Sequence, residues 1–316
     1  MTVLFSHPAC LTHDTGPGHP ERADRLRAVL GALEAEEFKD LRRESAPLAE
    51  DSHFLLAHTV HHVDGVRESL PSSGLSAVDP DTVVSAGSWE AARRAAGAVV
   101  AAVDLVMAGQ AQNAFCAIRP PGHHAERDGA MGFCLFNNVA IGALHARSVH
   151  AVERVAVVDF DVHHGNGTQD IFERDPNLFF ASTHQGGIYP GTGMAAEHGI
   201  ANNILNIPLP GGTGSQPWRA AMTDKLLPAL RAFAPGLILI SAGFDAHEDD
   251  PLAGMRLTAE DFGWGTEKIC EVAAECCGGR VVSTLEGGYD LDALADSATA
   301  HVRALMASVA VGRSFV

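Results

Sequence analysis

The chain has 316 residues, a length that suits one large α/β unit or two smaller ones. Apolar residues make up 46% and charged residues 19%, too little polar excess for extended disorder. The formal charge of −17 opposes binding to a phosphate backbone, so no direct nucleic-acid contact is expected, but it suits a cationic substrate such as a lysine-rich tail or a polyamine.

The first ten residues, MTVLFSHPAC, lack a basic segment followed by a long apolar stretch, and no run of about eighteen apolar residues occurs anywhere. A cytoplasmic chain with no membrane partner is expected. Residues 3–5 read as a buried strand and 22–38 as a helix. His61 and His62 sit in the polar stretch HTVHHVD, where surface or loop packing is the expectation. The Pro, Ser and Gly cluster at 70–87 reads as a surface loop rather than an interdomain linker. One domain over 1–316 is therefore expected.

After a helix at 88–107, short β-branched and apolar runs at 114–118, 155–160, 178–181, 237–241 and 281–285 read as buried parallel strands. Helical spacing fills the gaps at 137–145, 218–233, 259–277 and 291–307, which indicates an α/β fold. Pro228 is expected to kink its helix. Thr258 with Asp261 at capping-box spacing, and Asp290, mark the starts of the last two helices. The six cysteines form no CxxC pair and no small-scaffold spacing, so they read as reduced thiols.

The unusual residues share one position. RPPGHH follows one strand, DVHHGNG another, FDAH a third and EGGY a fourth, all at carboxyl ends, the edge where open parallel sheets bind ligands. In VVDFDVHHGNG, Asp159, Asp161 and His163 recur every second residue and share a side while the backbone stays extended. Charge inside such an apolar run is costly unless paired or metal-bound, and Asp245 after the strand LILISAG supplies a third ligand to Asp161 and His163. Two carboxylates and an imidazole suit zinc with an open position for chemistry.

His123 and His124 follow a rigid Arg-Pro-Pro-Gly turn and suit proton transfer near neutral pH. Two glycines let Tyr289 approach the crevice, where its hydroxyl could donate to an oxyanion; a helix-entry turn with a packing role for Tyr289 is the alternative.

Together RPPGHHA (119–125), GFCLFNN (132–138), DFDVHHGNGTQ (159–169), YPGTG (189–193), SAGFDAH (241–247) and EGGY (286–289) resemble the histone deacetylase family, from GHPER (18–22) onward. The resemblance implies the arginase-deacetylase fold, a mostly parallel sheet of about eight strands flanked by helices. It implies one catalytic zinc on Asp161, His163 and Asp245, with His123 and His124 as acid-base pair, Asp159 as partner of the first and Asn166 of the second. An asparagine at that place resembles the class II branch.

By the same resemblance, Phe133 and Tyr189 wall a substrate channel, the Gly132 carbonyl receives the substrate amide, and a structural potassium ion lies near Asp159, Asp161, His163, Ser182 and Thr183. Binuclear manganese ureohydrolases, which are similar in architecture, carry further aspartates where this chain has Gly165 and His247, so one metal is expected. Leu252 stands where some polyamine-selective relatives carry a gatekeeper glutamate, which favours an acylated lysine or another small amide over a polyamine. A catalytically silent acyl-lysine-binding module is the competing class; loss of a ligand or of Tyr289 would mark it, and all are present. A homo-oligomer stays open.

Overall fold

The computed structural model describes residues 1–312. Ten strands follow in chain order: β1 (Thr2–Ser6), β2 (Arg42–Ser45), β3 (Leu75–Asp79), β4 (Thr82–Ser85), β5 (Asn113–Cys116), β6 (Val155–Asp159), β7 (Leu178–Gln185), β8 (Ile204–Leu209), β9 (Leu237–Ala242) and β10 (Val281–Leu285). The helices are α1 (Ala23–Ala32), α2 (Asp51–Ala57), α3 (Val60–Glu68), α4 (Ser88–Met107), α5 (Asn138–His150), α6 (Asn166–Phe172), α7 (Ser215–Ala221), α8 (Leu227–Phe233), α9 (Ala259–Cys277) and α10 (Leu291–Gly312).

Eight strands form one sheet in the order β2-β1-β5-β10-β9-β6-β7-β8, and every pairing within it is parallel. The central strands β5, β6, β9 and β10 are buried at every residue, as expected of a sheet covered on both faces. One helical layer is α4 with α5; a second joins α1, α9 and α10. The six strands foreseen from apolar runs are the six inner ones. The two unforeseen members, β2 and β8, are its edges, where half-exposed sequences such as RRES carry no apolar run.

Helix boundaries depart from the pattern in understandable places. The first ends at Ala32 and is followed by a 3-10 turn at Glu36–Phe38, whereas α5 runs on to His150. Thr258 N–H donates to Asp261 Oδ2 at 2.9 Å and Ala293 N–H to Asp290 Oδ1 at 2.9 Å, so both foreseen starts are formed. Ahead of Pro228 the chain makes a π-helical turn, Met222–Leu226. Proline has no N–H to return to the preceding turn, and the helix absorbs the missing bond as a bulge.

Two expectations are corrected. The 70–87 segment is not merely a loop, because β3 and β4 pair as an antiparallel hairpin within it. His61 and His62 lie in helix α3, not in a loop: His61 is exposed, but His62 is buried with Nε2 2.8 Å from the Leu135 carbonyl.

Candidate active site and metal centre

The motif loops leave five strands that are neighbours at the middle of the sheet, β5-β10-β9-β6-β7, so topology alone gathers them over one crevice. From the β6 and β9 ends, His163 Nδ1 lies 3.2 Å from Asp161 Oδ1 and 3.0 Å from Asp245 Oδ2, and the ligand atoms of these three residues all fall within 4.8 Å of one another. Backbone N–H groups hold the carboxylates: Gly287 donates to Asp161 Oδ2 and Val162 to Asp245 Oδ1, each at 2.8 Å.

Space around the carboxylates is reserved by glycine. A Cβ at Gly243 would stand 1.9 Å from Asp161 Oδ2, and one at Gly287 would stand 2.2 Å from Asp245 Oδ2. Two fully buried carboxylates share one imidazole here. Burial and the Asp161 charge push Asp245 above the usual carboxylate range; burial opposes ionisation of Asp161, but His123 and His163 hold it well below that range. Burial lowers the His163 imidazole, yet the two carboxylates raise it to about 10. A divalent cation fits this set by donor chemistry and by charge.

Gly165 and His247, at the two positions where further aspartates would point to a second ion, bring no carboxylate to the group. A Cβ at Gly165 would meet Asp159 Oδ2 at 2.3 Å, and His247 Nδ1 is taken by the Asp249 N–H at 3.2 Å.

The paired histidines lie beside this group, ring centroids 4.1 Å apart and planes tilted by 42°. His123 Nδ1 lies 2.9 Å from Asp159 Oδ2, and its Nε2 is 3.7 Å from Asp161 Oδ2. His124 Nδ1 lies 2.8 Å from Asn166 Oδ1. Burial disfavours charge on both, but the Asp161 and Asp159 carboxylates hold His123 well above its ordinary value, whereas neighbouring His123 and His163 drive His124 further down. Asn166 Nδ2 donates to Glu126 Oε1 at 2.7 Å, which fixes the amide so that its oxygen faces His124. Nδ1 of neutral His124 therefore carries the hydrogen and Nε2 the lone pair.

Tyr289 stands in the loop between β10 and α10. Its N–H donates to Asp250 Oδ2 at 2.7 Å, the Arg25 guanidinium caps its ring at 4.8 Å, and burial pushes the phenol well above its ordinary range, leaving a neutral hydroxyl. Arg25 also donates to the Glu286 and Gly288 carbonyls, and its partner Glu21 accepts from Arg119, so GHPER and RPPGHH are clasped together under the cleft. Glu286 Oε2 accepts from the Gly122 and His123 N–H groups at 2.7 and 3.1 Å. These supporting residues went unnoticed as such in the sequence; the charged members of GHPER and EGGY were their only signal.

The Phe133 ring lies 6.0 Å from the Tyr289 ring and the Tyr189 ring 5.2 Å from that of His124, centroid to centroid. Gly132 and Phe133 both adopt the left-handed conformation, φ 57° and 68°, and a Cβ at Gly132 would lie 2.5 Å from His124 Cδ2, so only glycine fits there. The β3–β4 hairpin holds this turn: Gly132 N–H donates to Asp81 Oδ1 and Phe133 N–H to Thr82 Oγ1, each at 3.1 Å. Leu252 is 40% exposed, and its N–H donates to the Asp250 carboxylate that binds Tyr289. Ser182 and Thr183 lie on β7 with their hydroxyls engaged by His184 Nδ1 at 2.8 Å and Trp218 Nε1 at 3.0 Å.

Among the described residues no helix is long and apolar enough to cross a membrane. The family profile of the histone deacetylase domain matches residues 19–305. The chain is 40% identical to histone deacetylase 10, chloroplastic, of Oryza sativa subsp. japonica, over 99% of this chain and 75% of that one. It is 39% identical to the histone deacetylase-like amidohydrolase of Pseudomonas aeruginosa, over 91% and 81%. The crystal structure of the HDA15 HD domain superposes with a TM-score of 0.90 at 36% identity, covering 98% of this chain and 89% of that one. The eight-stranded parallel sheet with its helical layers is the arginase-deacetylase fold, and the chain belongs to the histone deacetylase family, a hydrolase of the deacetylase and amidohydrolase kind.

Proposed function

We propose that residues 1–316 form a single zinc-dependent catalytic domain that removes acyl groups from amines, with N6-acyl-lysine side chains as the preferred class. The observation that carries this is the meeting of His163 Nδ1 with two buried carboxylates, Asp161 and Asp245, inside a cradle of glycines. One zinc ion on those three residues supplies, when bound, the Lewis acidity that polarises the amide carbonyl and the attacking water.

The chain's own groups do the rest. Neutral His124 accepts the water proton at Nε2, because Asn166 already occupies its Nδ1–H, and then delivers a proton to the departing amine. His123, paired with Asp159, supplies positive charge beside the developing oxyanion. The Tyr289 hydroxyl donates to that oxyanion, and burial keeps it protonated for the task. Phe133 and Tyr189 sheathe the substrate's methylene stem, and the Gly132 carbonyl accepts its amide N–H. A structural potassium ion near Asp159, Asp161, His163, Ser182 and Thr183 belongs to the same proposal; with both β7 hydroxyls engaged, it would draw chiefly on carboxylate and carbonyl oxygens.

Leu252 at the rim offers no charge to a second amine, which favours acyl-lysine over acetylpolyamine, while the net charge of −17 still draws cationic substrates in. The test is kcat/KM of the zinc-loaded protein on acetyl-lysine peptides, longer acyl-lysines, acetylpolyamines and anilides. Acetyl-lysine peptides should lead acetylpolyamines by roughly tenfold, the scale of one rim contact. The reverse order overturns the lysine preference alone. Zinc and hydroxamate binding without turnover of any amide would leave only an acyl-lysine-binding module.

A further inference from the structure

Away from the cleft, a second set of ligand-type side chains converges where α5 packs on α4. His145 and His150 on α5 both direct Nε2 at one oxygen of Asp104 on α4, at 2.7 and 2.6 Å, and the three ligand atoms lie within 4.8 Å of one another. The His145 ring is buried at 5% exposure, and its Nδ1 has no hydrogen-bond partner. The Asp104 side chain is 48% exposed and that of His150 23%.

We propose that Asp104, His145 and His150 form a second metal site, for a borderline divalent transition ion such as zinc, separate from the catalytic group. Two imidazoles and a carboxylate are a ligand set for such an ion, and the exposed side leaves the remaining coordination position to water. Both Nε2 atoms and the carboxylate oxygen already face one point, so an ion entering there exchanges two shared hydrogen bonds for three coordinate bonds. Metal–ligand distances of about 2.0–2.2 Å require only a small outward shift of the half-exposed Asp104.

The site has a route to the cleft. At the opposite end of α5, Asn137 Nδ2 donates to the Ala125 carbonyl at 3.2 Å and Asn138 Nδ2 to the Pro120 carbonyl at 3.1 Å, so this helix holds both ends of the loop that carries His123 and His124. An ion at the far end pins α5 to α4 and stiffens that support.

The site is isolated from the catalytic one by working in Asp161→Asn protein. After dialysis against micromolar zinc, metal content by mass spectrometry and the thermal midpoint are read for this protein with and without His150→Ala or Asp104→Asn. The expected result is one equivalent of zinc fewer on adding either substitution, and loss of a zinc-dependent rise in Tm of several degrees. In the wild-type background the same substitutions should lower zinc from two equivalents to one. Equal zinc content with and without His150→Ala, in both backgrounds, overturns the proposal whatever the fate of the catalytic ion.

Discussion

At the residue scale the cleft depends on single atoms whose removal leaves their surroundings in place. Tyr289→Phe deletes one hydroxyl, while Arg25 over the ring and the Asp250 bond to the backbone stay. If the phenol donates to the oxyanion, kcat on an acetyl-lysine peptide should fall by about 10²–10³ with KM little altered, the effect of losing one such donor. Unchanged turnover would remove that role. The glycines make the complementary case. Gly243→Ala drives a methyl to within 1.9 Å of Asp161 Oδ2, whereas Gly31→Ala, in α1 with no neighbour within 4 Å, adds only helix propensity. The first should cost the one equivalent of zinc held by the catalytic group and lower Tm; the second should keep the wild-type zinc content and gain about 0.5–1 kcal/mol in urea unfolding. Equal zinc content in the two variants would contradict the cradle.

At the element scale the β3–β4 hairpin fixes the Gly132–Phe133 turn, and with it the wall of the proposed channel. Gly132 and Phe133 form an unfavourable pair of consecutive left-handed residues, and the hairpin's Asp81 and Thr82 accept their N–H groups. Asp81→Ala removes the side-chain oxygen that accepts the Gly132 N–H, so KM for a peptide substrate should rise by up to roughly tenfold, on the scale of one hydrogen bond of about 0.5–1.5 kcal/mol, while zinc content stays unchanged. An unaltered KM would place the wall's support elsewhere. This dependence shows where sequence patterns fail. The inner strands and the four motif loops were legible because apolar runs and chemically costly residues mark themselves locally. The hairpin was not, since LSAVD and TVVS lie in a Pro, Ser and Gly-rich stretch whose partner is some fifty residues away in the chain. Arg25 was missed for the same reason: nothing near it in sequence foretells that its acceptors are the carbonyls of residues 286 and 288. Edge strands β2 and β8 lacked the continuous apolar run that only burial on both faces demands.

At the scale of the whole molecule, the layer made by α9 and α10 is joined to the sheet through one fully buried imidazole. The Thr266 hydroxyl donates to the Phe262 carbonyl at 2.7 Å, so it must accept from His301 Nδ1–H at 2.6 Å, and His301 Nε2 then accepts from the Ser283 hydroxyl at 2.8 Å. Burial among Phe115, Phe160 and Phe244 lowers the imidazole to about 3. In the unfolded chain the same group takes up a proton near pH 6.5, so the unfolded state binds more protons below that pH. The sign follows: the contribution of neutral His301 is whole above pH 6.5 and is lost as pH falls from there toward 3, at about 1.4 kcal/mol per pH unit. Other buried groups titrate over the same range, among them His58, lowered to about 3, and Glu286, raised to about 7, and their contributions cancel when a variant is subtracted from the wild type. In urea unfolding of metal-free protein, the stability advantage of wild type over His301→Gln should therefore shrink by about 1.4 kcal/mol for each unit between pH 6 and pH 4. A difference that stays constant with pH would mean that the imidazole can charge in place, and that this junction is more open to water than its packing among three phenylalanines allows.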